Sequence, residues 1–322
     1  MHAASVHEPG PPEALRYEEL PDPKCHPRGV VIEVEAASIE GGDLRARALG
    51  PLPRTPHVVG YQCAGVIREV GADVTDREVG QRVVAVSAAG SHAELRSVPA
   101  RATWVLPDGL GADEATCIPV PFATAHDCLF EFGRVAEGET VLIQGAAGGL
   151  GVAAIQLAKG AGATVIGTSS SDEKLARLAE LGLDHGVNSA SSDPVAAVQE
   201  LTEERGVDLV IDPVGGATLQ KSLAMLAYRG RAITVGNASR GDTVIDMSPL
   251  MNGNRSLTGV YLAAEQGRNF ARVQALIAEL LGRVASGELR VLIDRRFPLA
   301  EAAAAHAYAE SRQALGRVLL IP

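Results

Sequence analysis

The chain has 322 residues, 46% of them apolar and 21% charged, with a formal net charge of −10. This length suits two domains better than one core, and the acidic balance disfavours nucleic acid or an anionic membrane as partner. No apolar run approaches the ~20 residues that cross a bilayer, and the N-terminus has no basic-then-apolar leader pattern, so a cytoplasmic protein is expected. The four cysteines, Cys25, Cys63, Cys117 and Cys128, are spaced too widely to suggest a disulfide framework or a zinc ribbon.

In chain order, the first third reads as β. The runs "GVVIEVEAASI" (29–39), "CAGVIREVG" (63–71) and "QRVVAVSA" (81–88) are short, rich in Val and Ile, and separated by Gly and Pro. Such close spacing predicts a β-rich barrel or sandwich. Near residue 120 the pattern changes. "TVLIQ" (140–144) reads as a buried strand and is followed by glycines and a small-residue helix from about 150 to 159. "ATVIGT" (163–168) is the next strand. A helix follows, with Leu175, Leu178 and Leu181 at helical spacing, a Ser170–Glu173 capping box, and Gly182 as its stop. "VDLVIDPVGG" (207–216), a helix at about 217–228 and "GRAITVGN" (230–237) continue the alternation. Strands alternating with helices predict a doubly wound parallel sheet, an α/β fold.

After residue 268, Val273, Leu276, Ile277, Leu280, Leu281 and Val284 form an i, i+3, i+4 stripe. "RVLIDRRFPL" then reads as a strand, "AEAAAAHAYAESRQA" as a helix and "GRVLLIP" as a last strand. Breaks near 118 and 258 divide the chain into residues 1–118, 119–258 and 259–322.

The stretch "QGAAGGLG" (144–151) has the spacing expected of a dinucleotide loop. Gly145, Gly148 and Gly151 let the strand turn tightly, admit a pyrophosphate, and allow close helix–strand packing. Ala146, Gly149 and Leu150 complete the loop, and the phosphates would meet N–H groups at the start of the helix. The next strand ends at Thr168 and is followed by Ser169, Ser170 and Lys174. An NAD site usually carries Asp or Glu there. A neutral tip with hydroxyls and a lysine suits a 2′-phosphate instead, so NADPH is the expected cofactor. Asp172 is read as a helix cap.

Taken together, these residues resemble the medium-chain dehydrogenase/reductase superfamily, in its zinc-free quinone oxidoreductase and enoyl reductase branch. The likeness rests on "GPPEALRYEELPDP" (10–23), "GYQCAGVIREVGADV" (60–74), "VGQRVVAV" (79–86), "PVPFATAHDCL" (119–129), "VLIQGAAGGLG", "DPVGG" and "GRVLLIP", in that order. It implies a GroES-like β-rich barrel domain (1–118) completed by the C-terminal segment (259–322), a Rossmann NADP-binding domain (119–258), and a substrate site in the cleft between them.

The resemblance also implies site residues. Zinc-dependent relatives carry His-Glu where this chain has Tyr61-Gln62, and neither is a usual Zn²⁺ ligand. His57 and Cys63 nearby read as packing residues, so no metal is expected. The family's Asn-x-x-Asp appears as Glu40-Gly41-Gly42-Asp43, with Asp43 matching and Glu40 replacing the Asn. The donor tyrosine of related enoyl reductases falls at Gly50-Pro51, so another donor is needed. Glu40, Tyr61 and His126 are the catalytic candidates, with His92 and Tyr261 lesser ones. Asp43, Thr124, Val214, Gly236, Asn237, Val260, Tyr261, Leu262 and Arg317, the last in place of a usual lysine, are implied at the coenzyme.

The reaction implied is hydride transfer to a quinone or an α,β-unsaturated carbonyl. The alternatives are a reductase dedicated to one biosynthetic enone, such as a polyketide intermediate, and a protein that binds NADP(H) without turnover. A homodimer joined through the Rossmann sheet edge at "GRAITVGN" is also implied.

Overall fold

The computed structural model describes residues 1–322. Contacts group them into two compact units, residues 1–120 with 275–322, and residues 121–274. The first unit opens with β1 (His2–Val6), β2 (Leu15–Glu19), β3 (Gly29–Ser38), α1 (Gly41–Leu49), β4 (His57–Val58), β5 (Gln62–Val70), β6 (Arg82–Val86), β7 (Leu95–Pro99), β8 (Thr103–Val105) and α2 (Ala112–Ala115). Then α3 (Pro119–His126) runs into a single π-helical turn, Asp127–Glu131.

The second unit continues with β9 (Thr140–Ile143), α4 (Gly149–Gly160), β10 (Thr164–Ser169), α5 (Asp172–Ala179), β11 (His185–Asn188), α6 (Pro194–Leu201) and β12 (Val207–Asp212). It ends with α7 (Gly216–Ala224), β13 (Leu226–Thr234), α8 (Ser248–Asn252), β14 (Ser256–Gly259) and α9 (Leu262–Arg268). Through α10 (Phe270–Ala285) the chain returns to β15 (Ile293–Pro298), α11 (Ala302–Glu310) and β16 (Arg317–Ile321) in the first unit. The second division therefore lies beyond the 258/259 break expected from sequence.

In the first unit, β15-β16-β3-β5-β6-β8 form one sheet, with β7 also paired to β3. Alternate residues of the strands face its core. Val30, Ile32, Val34, Ile67, Val83, Val318 and Leu320 are buried together. Two registers matter for the site. Leu319 stands opposite Ser38, and Cys63 stands opposite Ala37. Arg317 and Gln62 are thereby carried to the end of β3, where α1 begins.

The second unit is the expected doubly wound sheet. Its strand order is β11-β10-β9-β12-β13-β14, all parallel. Counted from β9 this is the 3-2-1-4-5-6 order of dinucleotide-binding folds. Helices cover both faces of such a sheet, so its strands are apolar along their whole length. Val141, Leu142 and Ile143 are each fully buried, as are Val210 and Ile211. The order corrects one expectation. β13 is an interior strand, and β14 takes the edge by pairing Ala232 with Leu257. The short β14, "SLTG", has too little apolar patterning to stand out in sequence.

Local differences are small. The N-cap of α5 is Ser171, whose Oγ accepts the Lys174 N–H, so the expected Ser170–Glu173 box does not form. The turn starts one residue later because β10 extends through Ser169. The helix expected at 217–228 ends at Ala224, and β13 begins at Leu226. The predicted stripe of α10 is buried throughout.

Candidate active site

In the first unit the candidate residues gather where β3 passes into α1. Glu40 is the N-cap of α1, and its N–H donates to Asp43 Oδ2 at 2.9 Å. That bond turns the two carboxyl-bearing residues into one helix start. The Glu40 side chain is buried, and three donors converge on its Oε1: the Ser38 hydroxyl at 3.1 Å, the Gln62 amide and the Arg317 guanidinium. Arg317 also bonds Ser38 Oγ, with its Nε at 3.0 Å and Nη2 at 2.7 Å, and the Ile39 carbonyl. Ser38 N–H bonds Thr116 Oγ1 at 3.2 Å, and Gln62 Oε1 accepts the Val120 N–H at 3.3 Å.

These surroundings set the protonation states. Burial raises the Glu40 carboxyl above its ordinary range, while Arg317, Ser38 and Gln62 lessen the rise. Burial pushes the Asp43 carboxyl up to about 8, against the Glu40 N–H bond, which favours the charged form. Tyr61 packs over Gly42; a Cβ there would sit 2.7 Å from Tyr61 Cε1 and 3.0 Å from its hydroxyl oxygen. Burial and the Glu40 and Asp43 carboxyls hold the Tyr61 phenol well above its usual range. It therefore stays protonated and able to donate.

His92 is wholly buried. Its Nε2 lies 3.8 Å from Asp43 Oδ2, and its Nδ1 lies 3.4 Å from His306 Nε2. Burial pushes the His92 imidazole down to about 3, helped by Arg96. It is a neutral core histidine.

In the second unit the glycine turn joins β9 to α4. Gly145 adopts φ +60° and its N–H donates to Thr168 Oγ1 at 3.1 Å. Gly148 is the N-cap of α4 and supplies no side-chain cap, which leaves the first-turn N–H groups to other acceptors. A Cβ on Gly151 would stand 2.3 Å from the Ala146 carbonyl oxygen, so only glycine permits this approach. The turn thus suits a pyrophosphate.

Not every expected residue points to a ligand. Thr168 uses its hydroxyl inside the turn, accepting from Gly145 and donating to Gln144 Oε1 at 2.7 Å. Asn237 braces its own loop through Gly241 O at 2.9 Å and Ser239 Oγ at 2.8 Å. Thr124, Val260 and Leu262 are buried, whereas Tyr261 is 73% exposed. Ser169 is buried and Ser170 exposed at the tip of β10. Val214 Cγ2 lies 3.4 Å from where a Gly145 Cβ would stand, and Val260 N–H bonds Thr234 O at 2.9 Å.

His126 belongs to the second unit, whereas Glu40 and Tyr61 belong to the first. Its ring tilts against Phe130 at 4.7 Å, and its Nδ1 lies 3.8 Å from Asp127 Oδ1. Asp127 is buried and bidentate with Arg272 at 2.7 and 3.0 Å. Sequence reading gave no site role to Ser38, Gln62, Gln144, Asp212 or Ser222. The available signal was a polar residue at the end of an apolar strand, or on the buried side of a helix.

Two family models match the chain: the alcohol dehydrogenase GroES-like domain over residues 26–108 and the zinc-binding dehydrogenase over 149–280. A 2-haloacrylate reductase of Burkholderia is 34% identical, with 99% of this chain and 98% of that protein covered. The chain belongs to the medium-chain dehydrogenase/reductase superfamily. Within it, the chain groups with the quinone oxidoreductase branch. The quinone oxidoreductase of Pseudomonas aeruginosa is 32% identical, covering 97% of each chain. The structure of Escherichia coli quinone oxidoreductase complexed with NADPH superposes with a TM-score of 0.94 at 29% identity, over 100% of both chains. This medium-chain reductase accordingly combines a GroES-like and a Rossmann-type fold.

One matching model is described as zinc-binding, but the donor set does not fit zinc. Tyr61 and Gln62 are poor ligands, and no three or more His, Cys, Asp or Glu side chains come together to hold an ion.

Proposed function

We propose that this protein is an NADPH-dependent oxidoreductase that reduces a quinone or an α,β-unsaturated carbonyl. The carrying observation is the start of α4, which no side chain caps, behind a glycine turn in a sheet of dinucleotide-binding order. The neutral tip of β10 supports the phosphorylated coenzyme. Ser169, Ser170 and Lys174 are its candidate 2′-phosphate partners. Bound NADPH would supply one hydride from C4 of its nicotinamide. Gly145, Ala146, Gly148, Gly149, Leu150 and Gly151 would hold its pyrophosphate. We assign residues 121–274 to coenzyme binding, and 1–120 with 275–322 to the substrate.

Hydride addition to the β-carbon of an enone leaves negative charge on the carbonyl oxygen. A quinone likewise becomes a hydroquinone anion. Either product needs a hydrogen-bond donor and then a proton. Tyr61 is the best donor among the candidates because its phenol is kept protonated. Glu40, tied to Arg317 and Gln62, keeps the α1 start rigid beneath it. Aimed donors of this kind supply much of the stabilisation in such reactions.

The name 2-haloacrylate describes an α,β-unsaturated carboxylate, which favours the enone class as a second, narrower reading. A panel of quinones, enones and acrylates with NADPH decides. Turnover of one class alone names the substrate. Tight NADPH binding with no turnover on the whole panel would leave a binding protein and defeat the proposal. We also place a homodimer contact at β14. Its outer edge is unpaired, and Val244, Met247 and Met251 just before it are more than half exposed. We also propose a cytoplasmic location, where the four free cysteines would stay reduced.

A further inference from the structure

Behind the glycine turn runs an unbroken chain of hydrogen bonds. The Gly145 N–H donates to Thr168 Oγ1 at 3.1 Å, and the Thr168 hydroxyl donates to Gln144 Oε1 at 2.7 Å. The other end of that amide, Nε2, donates to Ser222 Oγ at 3.2 Å. Ser222 donates to Asp212 Oδ2 at 2.8 Å, with Thr218 O a second acceptor at 3.0 Å. Asp212 Oδ1 takes the Val214 and Gly215 N–H groups, both at 2.8 Å. The four side chains stand at the ends of β9, β10 and β12 and on α7. None is more than 4% exposed, and none has a buried polar atom without a partner.

Four polar side chains in an otherwise apolar sheet core are costly to desolvate, and valines or leucines would fill the space at less cost. What the polar set adds is direction. A hydroxyl has one proton, and an amide has distinct donor and acceptor ends. The order of donors therefore orients Gln144, holds the Thr168 rotamer, and places the Gly145 N–H. Neighbouring bonds in such a chain polarise and strengthen one another.

We infer that Gln144, Thr168, Ser222 and Asp212 are positioning residues that preset the Gly145–Gly148 turn for the coenzyme pyrophosphate, with Asp212 as the anchor. The inference rests on the coenzyme reading above. It also removes Thr168 from the 2′-phosphate contacts, since its hydroxyl is committed in both directions. Preorganisation acts through the free protein: a loop already in its bound shape loses less entropy on binding.

The test compares wild type with Thr168→Val, Thr168→Ser and Ser222→Ala. NADPH affinity is read by fluorescence titration, and amide hydrogen exchange over 144–151 is read without coenzyme. Thr168→Val is expected to weaken NADPH about 10-fold or more, to speed exchange in the turn, and to leave kcat at saturating NADPH within about twofold. Thr168→Ser keeps the hydroxyl and is expected to bind within about threefold of wild type. If Thr168→Val does not fold, Ser222→Ala decides by the same two readings. Wild-type affinity and unchanged exchange in the broken-chain variant would overturn the inference and leave the coenzyme reading intact. A wild-type protein without NADPH affinity would overturn both.

Discussion

Arg317, on the last strand, is ion-paired with Glu40, at the first turn of α1, inside the first unit. The family resemblance leads one to expect an asparagine where Glu40 stands and a lysine where Arg317 stands. The two departures touch, and each supplies the charge that the other lacks. Removing one partner of a buried pair strands the other and costs about 3–5 kcal/mol. Arg317→Met is expected to lower stability by that order in urea unfolding. Adding Glu40→Gln to it should restore most of the loss. A double variant no more stable than Arg317→Met would show that the pair is not coupled.

Tyr61 should matter to the chemical step more than to folding. Tyr61→Phe removes the hydroxyl, keeps the ring over Gly42, and is expected to lower kcat about 100-fold, the size of one lost transition-state donor. NADPH affinity should stay near wild type. Because the phenol is held well above its usual range, the wild-type rate should show no alkaline fall from Tyr61 up to pH about 10. A Tyr61→Phe enzyme with full kcat would transfer the donor role elsewhere, His126 being the next to test.

Buried histidines and a buried aspartate give stability opposite slopes with pH. His92 is pushed down to about 3 by burial. Its neutral form is at full benefit above the unfolded value near 6.5, and that benefit drains away as pH falls toward about 3. His306, lowered by burial and by His92 and Arg47, acts in the same sense. Asp43 is pushed up to about 8, so its contribution is whole below about 4 and is lost as pH rises to about 8. Above pH 6.5 Asp43 acts without the histidines. Asp43→Asn should then lose less stability than wild type between pH 6.5 and 8, by up to about 1.4 kcal/mol per pH unit. Urea midpoints at pH 5, 6.5 and 8 measure this, and parallel curves for the two proteins would refute it.

Gly151 has no room for a methyl group, because its Cβ would stand 2.3 Å from the backbone oxygen of Ala146. Gly151→Ala must displace the turn or the helix start. It is expected to raise the NADPH Kd about 10-fold or more, about 1.4 kcal/mol, as read by fluorescence titration. Unchanged affinity would move the pyrophosphate away from this turn.

No step of the proposed reaction runs through a metal. Activity is expected to be unchanged after dialysis against EDTA. Loss on chelation, restored by added Zn²⁺, would contradict the poor fit of Tyr61 and Gln62 as ligands.

Much of the second unit was legible in the chain itself. A parallel strand covered on both faces is apolar along its length, so β9, β10 and β12 stand out as Val, Leu and Ile runs. The glycine turn is equally local, since its spacing follows from backbone geometry over eight residues, Gln144–Gly151. The α10 stripe followed from helical period alone. β14 stayed hidden because a four-residue edge strand, Ser256–Gly259, is recruited by its neighbour more than by its own pattern.

The polar partners were decided only by the tertiary structure. Glu40 meets Arg317 across 277 positions of sequence, and Gln144 meets Ser222 across 78. Whether Thr168 serves a ligand or its own loop, and whether His92 titrates or stays neutral, depends on which groups the fold brings within about 3 Å and how much water it removes. Residue type and spacing specify backbone elements because those interactions are between near neighbours. The partner of a buried polar atom is chosen by packing between distant segments, and no local pattern records it.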